Sequence, residues 1–219
     1  MRILEVCCAD LASLQAAVAG GAQRVELCQA LSLDGLTPSA GMIRLAVESG
    51  ITVHVLIRPR EGDFVYSEAE MDCMIHDIHL ARELGAHGVV IGVLDKEGNV
   101  DEEKCRRLVA AAEGMHVTFH RAFDVCRDPM TAIRQIVDMG CDRLLTSGQA
   151  ASAEAGIDMI RQLVETYGHT IKIMPGAGVN AQNAARILNA TGATEIHGSL
   201  RRNGHTDVDI VRRTVATIS

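Results

Sequence analysis

Histidine and carboxylate side chains stand in or just beyond short apolar segments of this chain, where they could move protons. His120 ends one such segment and Asp124 follows four residues later, while Glu5 and Glu26 lie inside two others. Histidine transfers protons near neutral pH, and a nearby carboxylate can orient it or act beside it. The sequence therefore predicts His120, Asp124, Glu5 and Glu26 as candidate catalytic residues. The alternative is a hydrogen-bonded interior histidine with paired, purely structural carboxylates.

Arginines and glycines occupy other segment ends, and both residue types favour anion binding. Guanidinium groups grip oxyanions at two points, and glycine-rich turns offer backbone amides. The predicted anion-binding residues are Arg58, Arg60, Arg121, Gly148, Gly176, Gly178 and Ser199. The alternative pairs Arg58 with Glu5 or Glu26 and Arg60 with Asp63, and leaves the glycines as tight turns.

Two cysteines raise the question of a metal. Cys7 and Cys28 each lie two residues beyond an acidic residue, Glu5 and Glu26. If their segments are neighbouring strands, the two sulfurs converge, and a pair of soft thiolates suits Cu(I). Free cysteine is also a common small buried hydrophobe, and this chain has no Cys-x-x-Cys spacing, so a packing role stays open.

The elements that must position these residues repeat in a regular order of helix-like segment, glycine and strand-like segment. Helix-like segments close on glycines that we interpret as left-handed C-terminal caps, namely Gly20, Gly50, Gly85, Gly114, Gly140, Gly168 and Gly192. The predicted strands are residues 3–6, 25–28, 51–57, 89–93, 117–119, 144–146, 171–174 and 195–197. Eight such units predict an α/β fold, a (β/α)₈ TIM barrel. An open doubly wound sheet is disfavoured because no Gly-x-Gly-x-x-Gly turn follows the first strand.

Residues typical of helix starts support this division. Asp10, Asp128 before Pro129, and Thr206 each precede a helix-like segment, and Ser67 with Glu70 has capping-box spacing. Serine, threonine and aspartate accept hydrogen bonds from the first free amides of a helix. The sequence thus predicts where these helices begin.

Alternation along each strand separates an apolar phase from a polar one. Since helices cover the outside of such a barrel, the polar phase should point inward. The predicted inward residues are Glu5, Cys7, Glu26, Cys28, His54, Arg58, Thr118, His120, Lys172, Glu195, His197 and Ser199. Glu5, Glu26, Lys172 and Glu195 could form a paired network low in the barrel, whereas residues at the carboxyl ends of strands open into the mouth, where barrel active sites lie.

Composition limits the function classes. The 219 residues carry a net charge of −7 and 2% aromatic residues, which disfavours nucleic acid as a partner. We expect one domain over residues 1–219, no membrane segment and no signal peptide, because no long apolar run exists and the first strand begins at the N-terminus. Seven cysteines without paired spacing predict a reducing, cytoplasmic environment.

Several segments together resemble the CutC family, named for copper homeostasis. The resemblance rests on residues 5–7, 24–28, 35–39, 58–67, 118–124, 145–148 and 176–178. It implies the barrel fold, a cytoplasmic homo-oligomer associated with copper, and Cu(I) binding by cysteines at the positions of Cys7 and Cys28. Relatives often have a longer loop after the last strand than residues 200–205 provide here.

Two functions follow, and the sequence leaves the choice between them open. One is copper homeostasis with bound Cu(I), implied by the resemblance. The other is an enzyme that acts by acid/base chemistry on a small anionic or phosphorylated metabolite, with His120 and the carboxylates moving protons while the arginines and glycine turns hold the anion.

Overall fold

The computed structural model describes residues 2–219, and its centre is an eight-stranded parallel barrel. The barrel strands are β1 (Ile3–Cys8), β2 (Arg24–Leu27), β3 (Thr52–Leu56), β4 (Gly88–Ile91), β5 (His116–Phe119), β6 (Arg143–Thr146), β7 (Lys172–Pro175) and β8 (Glu195–Gly198). Their hydrogen-bonded order is β7-β6-β5-β4-β3-β2-β1-β8, so the last strand returns to pair with the first. The predicted TIM barrel is confirmed, and every predicted strand lies within two residues of an observed one.

In the described part of the chain, eight α-helices surround the barrel. They are α1 (Leu11–Gly20), α2 (Ala40–Glu48), α3 (Glu68–Glu83), α4 (Glu102–Ala111), α5 (Pro129–Asp138), α6 (Ile157–Tyr167), α7 (Ala184–Thr191) and α8 (Val208–Ile218). Short 3₁₀ helices at Leu31–Leu33 and Arg121–Val125 lie in the loops after β2 and β5. Across residues 2–219, none of the helices has the length and apolar character needed to cross a membrane.

The predicted helix starts are confirmed with one exception. Asp10 accepts a hydrogen bond from the Ser13 amide at 2.8 Å, and Ser67 forms a reciprocal capping box with Glu70. The last helix is capped by Asp207 rather than by the predicted Thr206, because its carboxylate accepts from the Asp209 and Ile210 amides. An aspartate directly before a helix accepts hydrogen bonds from its first free amides as a threonine does, so the predicted start of this helix was one residue too early.

Two of the predicted glycine stops are wrong in detail. Gly20 is the final residue of α1, and the left-handed cap is Gly21, with φ of 86°. Gly168 follows α6 with φ of −61°, so it ends that helix without a left-handed turn. Gly192, with φ of 75°, is a cap of the predicted kind.

The strands separate their faces as predicted. Apolar side chains such as Val25, Val53 and Phe119 are fully buried between the sheet and the helices. Polar side chains meet inside the barrel, where Arg143 of β6 reaches Glu195 of β8 past the intervening strand. Lys172 is an exception, since it is exposed at the beginning of β7 and takes no part in the interior network.

The short segment after β8 forms a small antiparallel hairpin, β9 (Arg201–Arg202) and β10 (His205–Thr206). Positive φ values at Asn203 and Gly204 shape its two-residue turn. The hairpin is tied to α1, because the Thr206 amide donates to Ser13 Oγ at 3.1 Å. This segment is therefore a hairpin connection that follows the last strand and contacts α1.

Candidate functional site

A cavity of about 470 Å³ opens at the carboxyl ends of the barrel strands. Active sites of barrels with this fold lie at the same end. Its lining includes eight of the predicted site residues, namely Cys7, Glu26, Arg58, His120, Arg121, Asp124, Gly178 and Ser199. Residues that were not predicted site residues also line it, among them Asp34, Phe64 and His197.

The floor of the cavity rests on a buried ionic layer around Glu5. Arg24 donates to one oxygen of Glu5, and His197 Nδ1 lies 2.8 Å from the other. Burial favours the neutral carboxyl, yet the charges of Arg24 and His197 outweigh it and hold the pKa of Glu5 well below its usual range. Glu5 is thus a fixed anion beneath the cavity, which makes it an orienting group for His197 rather than a proton donor.

A second carboxylate completes the layer. Glu195 accepts from Arg24 and, at 2.6 Å, from Arg143 Nε, so one carboxylate joins two arginines. Arg24 also reaches Met174 Sδ across the barrel at 3.3 Å. The predicted low network therefore exists with different members, because arginines at the first positions of β2 and β6 take the place predicted for Lys172.

Above this layer, three ligand-type groups converge on the cavity wall. Cys7 Sγ, a carboxylate oxygen of Glu26 and a ring nitrogen of His197 all lie within 4.8 Å of one another. Burial and the nearby Glu5 raise the pKa of Glu26, while Glu26 and Glu5 raise the pKa of His197 against the effect of burial. A carboxyl and an imidazole that are in close proximity and both have raised pKa values are candidate groups for acid/base chemistry.

The two predicted metal-binding cysteines are neighbours. Cys7 Sγ lies 3.7 Å from Cys28 Sγ, and both side chains are buried with Leu56 and Val90. The contact with Cys28, burial and the Glu26 charge raise the pKa of the Cys7 thiol well above its ordinary value. Cys8 faces the helix layer instead, where its thiol lies 3.6 Å from the Val6 carbonyl. Sulfur convergence at the mouth is thus as predicted.

His120 lies in the cavity wall, but its surroundings do not suit a proton shuttle. The Ala122 amide donates to His120 Nδ1 at 3.1 Å, and burial together with Arg58 lowers the pKa of His120 to about 3. The neutral ring therefore carries its proton on Nε2, which is buried without a hydrogen-bond partner among residues 2–219. His120 is built to donate a hydrogen bond, as a neutral imidazole does in other barrel sites.

Asp124 does not orient His120, contrary to the expectation from their spacing. Its carboxylate accepts from Thr146 Oγ1 at 2.5 Å, from the Ser147 amide at 2.9 Å and from Arg121 Nε at 2.7 Å. Asp124 thereby joins the loop after β5 to the end of β6. Arg121 remains half exposed at the rim of the cavity.

For the two arginines after β3, the alternative that pairs Arg60 with Asp63 is confirmed, and the one that pairs Arg58 with Glu5 or Glu26 is wrong. Arg58 donates to the carbonyls of Leu33, Gly35 and Gly62 at 2.9–3.0 Å, so it holds loops together and pairs with neither Glu5 nor Glu26. Arg60 lies outside the cavity lining and pairs with Asp63 at 2.8 Å and Glu70 at 2.5 Å. All three guanidinium nitrogens of Arg60 donate to protein acceptors, whereas Arg58 keeps a buried Nε without a hydrogen-bond partner among residues 2–219.

The predicted glycine turns divide into two groups. Gly178 and Ser199 line the cavity, and within residues 2–219 their amides donate to no protein acceptor. Gly176 donates to the Thr146 carbonyl at 2.9 Å and Gly148 to Thr146 Oγ1 at 2.8 Å, so both amides are already used. Only Gly178 and Ser199 keep the geometry that the anion prediction requires.

Three residues of this site were not singled out from the sequence. Arg24 and Arg143 share the inward phase of Glu26 and of Leu145, so strand alternation could have located them. His197 was placed in the inward phase, but its importance depends on the pairing of β8 with β1, which brings it to Glu5.

Comparisons with known proteins agree with this architecture. The model of the CutC family matches residues 2–202. CutC family proteins of Pasteurella multocida and Parabacteroides distasonis are 51% and 50% identical over 195 and 202 residues, covering 89% and 91% of this chain and 80% and 83% of theirs. A solved CutC structure from Streptococcus agalactiae, named as a candidate copper homeostasis protein, is 38% identical with a TM-score of 0.86, covering 91% of this chain and 99% of that one.

Proposed function

This chain belongs to the CutC family, and on that premise we propose that it acts in copper homeostasis by binding Cu(I) through Cys7 and Cys28. The observation that carries the proposal is the 3.7 Å separation of the two sulfurs. Metal–thiolate bonds are about 2.3 Å long, as in zinc sites, so one ion can bridge the two sulfurs without moving β1 or β2. Two soft thiolates favour Cu(I) over harder cations.

The surroundings of the pair suit a soft ion. Leu56 and Val90 pack around both sulfurs, while Cys7 also lines the cavity and gives the ion a route from the mouth. The raised pKa of the Cys7 thiol means that copper must displace a proton. Cu(I) affinity should therefore increase with pH.

Copper binding is tested by competition titration against a chromophoric Cu(I) chelator under reducing conditions. All variants carry Cys73→Ser, because Cys73 is an exposed thiol that would bind Cu(I) on its own. We expect Cys7→Ser and Cys28→Ser each to weaken Cu(I) binding by more than the ~10–100-fold that loss of an outer-shell partner costs.

The matched control is Cys8→Ala, which removes a buried thiol next to Cys7 that faces the helix layer. Its Cu(I) affinity should equal that of the parent. Unchanged stoichiometry and affinity in the Cys7→Ser, Cys28→Ser double variant would remove these residues as the copper site.

We further propose a cytoplasmic homo-oligomer. The free thiols support the compartment, since buried and exposed cysteines alike are unpaired among residues 2–219. The oligomer is an expectation from the family resemblance, and sedimentation equilibrium would test it.

A second candidate function is that of an enzyme acting on a small anionic metabolite. It is favoured by the cavity, where the unused amides of Gly178 and Ser199 lie near the Glu26 and His197 pair and the His120 Nε2 donor. Backbone amides after the last two strands commonly bind phosphate in this fold. Here Glu26 and His197 are the acid/base pair, and His120 donates to a substrate oxygen.

Inorganic phosphate serves as the probe for this second function. A phosphate titration monitored by ¹⁵N NMR should shift the amide resonances of Gly178 and Ser199. The same shifts should appear in the control variant Arg60→Ala, because Arg60 lies outside the cavity. Shifts confined to residues away from the cavity would contradict an anion site there.

A further inference from the structure

The cavity wall holds a second set of metal ligands that shares Cys7 with the copper pair. We propose that Cys7, Glu26 and His197 form a binding site for a borderline divalent cation of the Zn²⁺ type, with a fourth position open to the cavity. The three ligand atoms lie within 4.8 Å of one another. This inference is independent of Cu(I) binding except that the two ions compete for Cys7.

The separations match what a tetrahedral ion needs after small rotamer changes. Bonds of about 2.0–2.3 Å at tetrahedral angles place ligand atoms roughly 3.3–3.8 Å apart. The ligands come from β1, β2 and β8, which are adjacent and paired in the barrel. Contraction by about 1 Å is within the reach of side chains alone.

Outer contacts already prepare His197 for a metal. Its Nδ1 lies 2.8 Å from Glu5 Oε1, so Nδ1 donates to that carboxylate and Nε2 is the nitrogen left to bind a metal once it gives up its proton. Metal-bound histidines typically donate their other N–H to a carboxylate in this way. Arg24 fixes Glu5 in turn, which holds the imidazole in one orientation.

Charge favours a divalent ion in this set. A Cys7 thiolate and a Glu26 carboxylate contribute two negative charges and neutral His197 contributes none, so Zn²⁺ makes the ligand set neutral in a buried environment. Cu(I) held by the same three groups would leave a net negative charge. Mixed sulfur, nitrogen and oxygen donors are also the ligands that zinc accepts.

The open position distinguishes this site from a closed structural one. Cys7, Glu26 and His197 all line the 470 Å³ cavity, whereas Cys28 lies behind Cys7 and is fully buried. Three protein ligands and a fourth, accessible position are typical of zinc that binds water or a substrate oxygen. The class of ligand that fits is a small molecule with an oxygen donor.

The test compares the effects of the same substitutions on Zn²⁺ affinity and on Cu(I) affinity. With Zn²⁺ alone, in the Cys73→Ser background under reducing conditions, we expect H197Q and E26Q to weaken binding at least roughly 10-fold. C28S should leave Zn²⁺ affinity near that of the parent. With Cu(I), C28S should cause the large loss and H197Q and E26Q the small one.

Several results would overturn the inference. They are no Zn²⁺ binding by the parent, Zn²⁺ affinity unchanged in H197Q and E26Q, or a loss in C28S as large as in H197Q. Because a variant could fail to fold, zinc-edge X-ray absorption on the parent protein gives a separate readout. One sulfur with nitrogen and oxygen neighbours is expected, and two sulfurs would contradict the site. If the protein does not bind Cu(I), each of these Zn²⁺ results still supports or contradicts the zinc site.

Discussion

Replacing Glu195 by alanine should lower the free energy of unfolding by about 3–5 kcal/mol, the cost of leaving buried charges without their partner. Among residues 2–219, Glu195 is the single carboxylate joined to both Arg24 and Arg143, and all three side chains are more than nine-tenths buried. Arg24 would keep Glu5, but Arg143 would lose both of its hydrogen bonds to Glu195. Urea unfolding followed by circular dichroism at pH 7 measures the change.

Two comparisons make this result specific. Asp158→Ala removes an exposed ion pair with Arg161 and should change stability by less than about 1 kcal/mol. Glu195→Gln keeps the shape and some hydrogen bonds, so its loss should be smaller than that of Glu195→Ala. A loss below about 1 kcal/mol in Glu195→Ala would mean that the ionic layer contributes little to stability.

Stability should fall steeply as the pH drops from 6.5 toward 4.5. Burial lowers the pKa of His54 and of His120 to about 3, from an ordinary value of 6.5. Between these values the unfolded chain binds protons that the folded chain does not, so acid favours unfolding by about 1.4 kcal/mol per pH unit for each histidine.

Two other groups change stability outside this pH range. The lowered pKa of Glu5 acts in the same direction below pH 4.5. The raised pKa of His197 acts oppositely, because it contributes stability that is present in acid and lost as the pH rises through its folded value. That gain lies above pH 6.5, so His197 adds no slope between pH 6.5 and 4.5, where both the folded and the unfolded chain hold its proton.

The slope is measured by urea unfolding at several pH values. His54→Gln and His120→Gln should each reduce it by one histidine's share, while His76→Gln, at an exposed position on α3, should leave it unchanged. A free energy of unfolding that stays level or rises between pH 6.5 and 4.5 would contradict the assignment of neutral buried histidines.

Much of the fold could be predicted because the determining signals are local. Glycine stops, helix caps and strand alternation each depend on a few consecutive residues, and together they place Glu5, Glu26 and His54 inside the barrel. Adjacent first and second strands also sufficed to predict that Cys7 and Cys28 approach each other.

The site was harder to predict because its hydrogen bonds join distant segments. Arg58 donates to the carbonyls of Leu33 and Gly35, in a loop more than twenty residues away in sequence. Likewise, the orientation of the His197 ring depends on its contact with Glu5, which is 192 residues distant in sequence. Residue type indicates what chemistry is possible, but these partners decide which side chains remain free.

Copper-edge X-ray absorption on the protein loaded with one equivalent of Cu(I) tests the copper site most directly. The sample carries Cys73→Ser, so that no exposed thiol of α3 competes for the ion. Two sulfur neighbours are predicted, from Cys7 and Cys28, and one sulfur should be lost in Cys28→Ser. A first shell of nitrogen and oxygen atoms alone, or a spectrum unchanged by Cys28→Ser, would contradict Cu(I) binding by this pair.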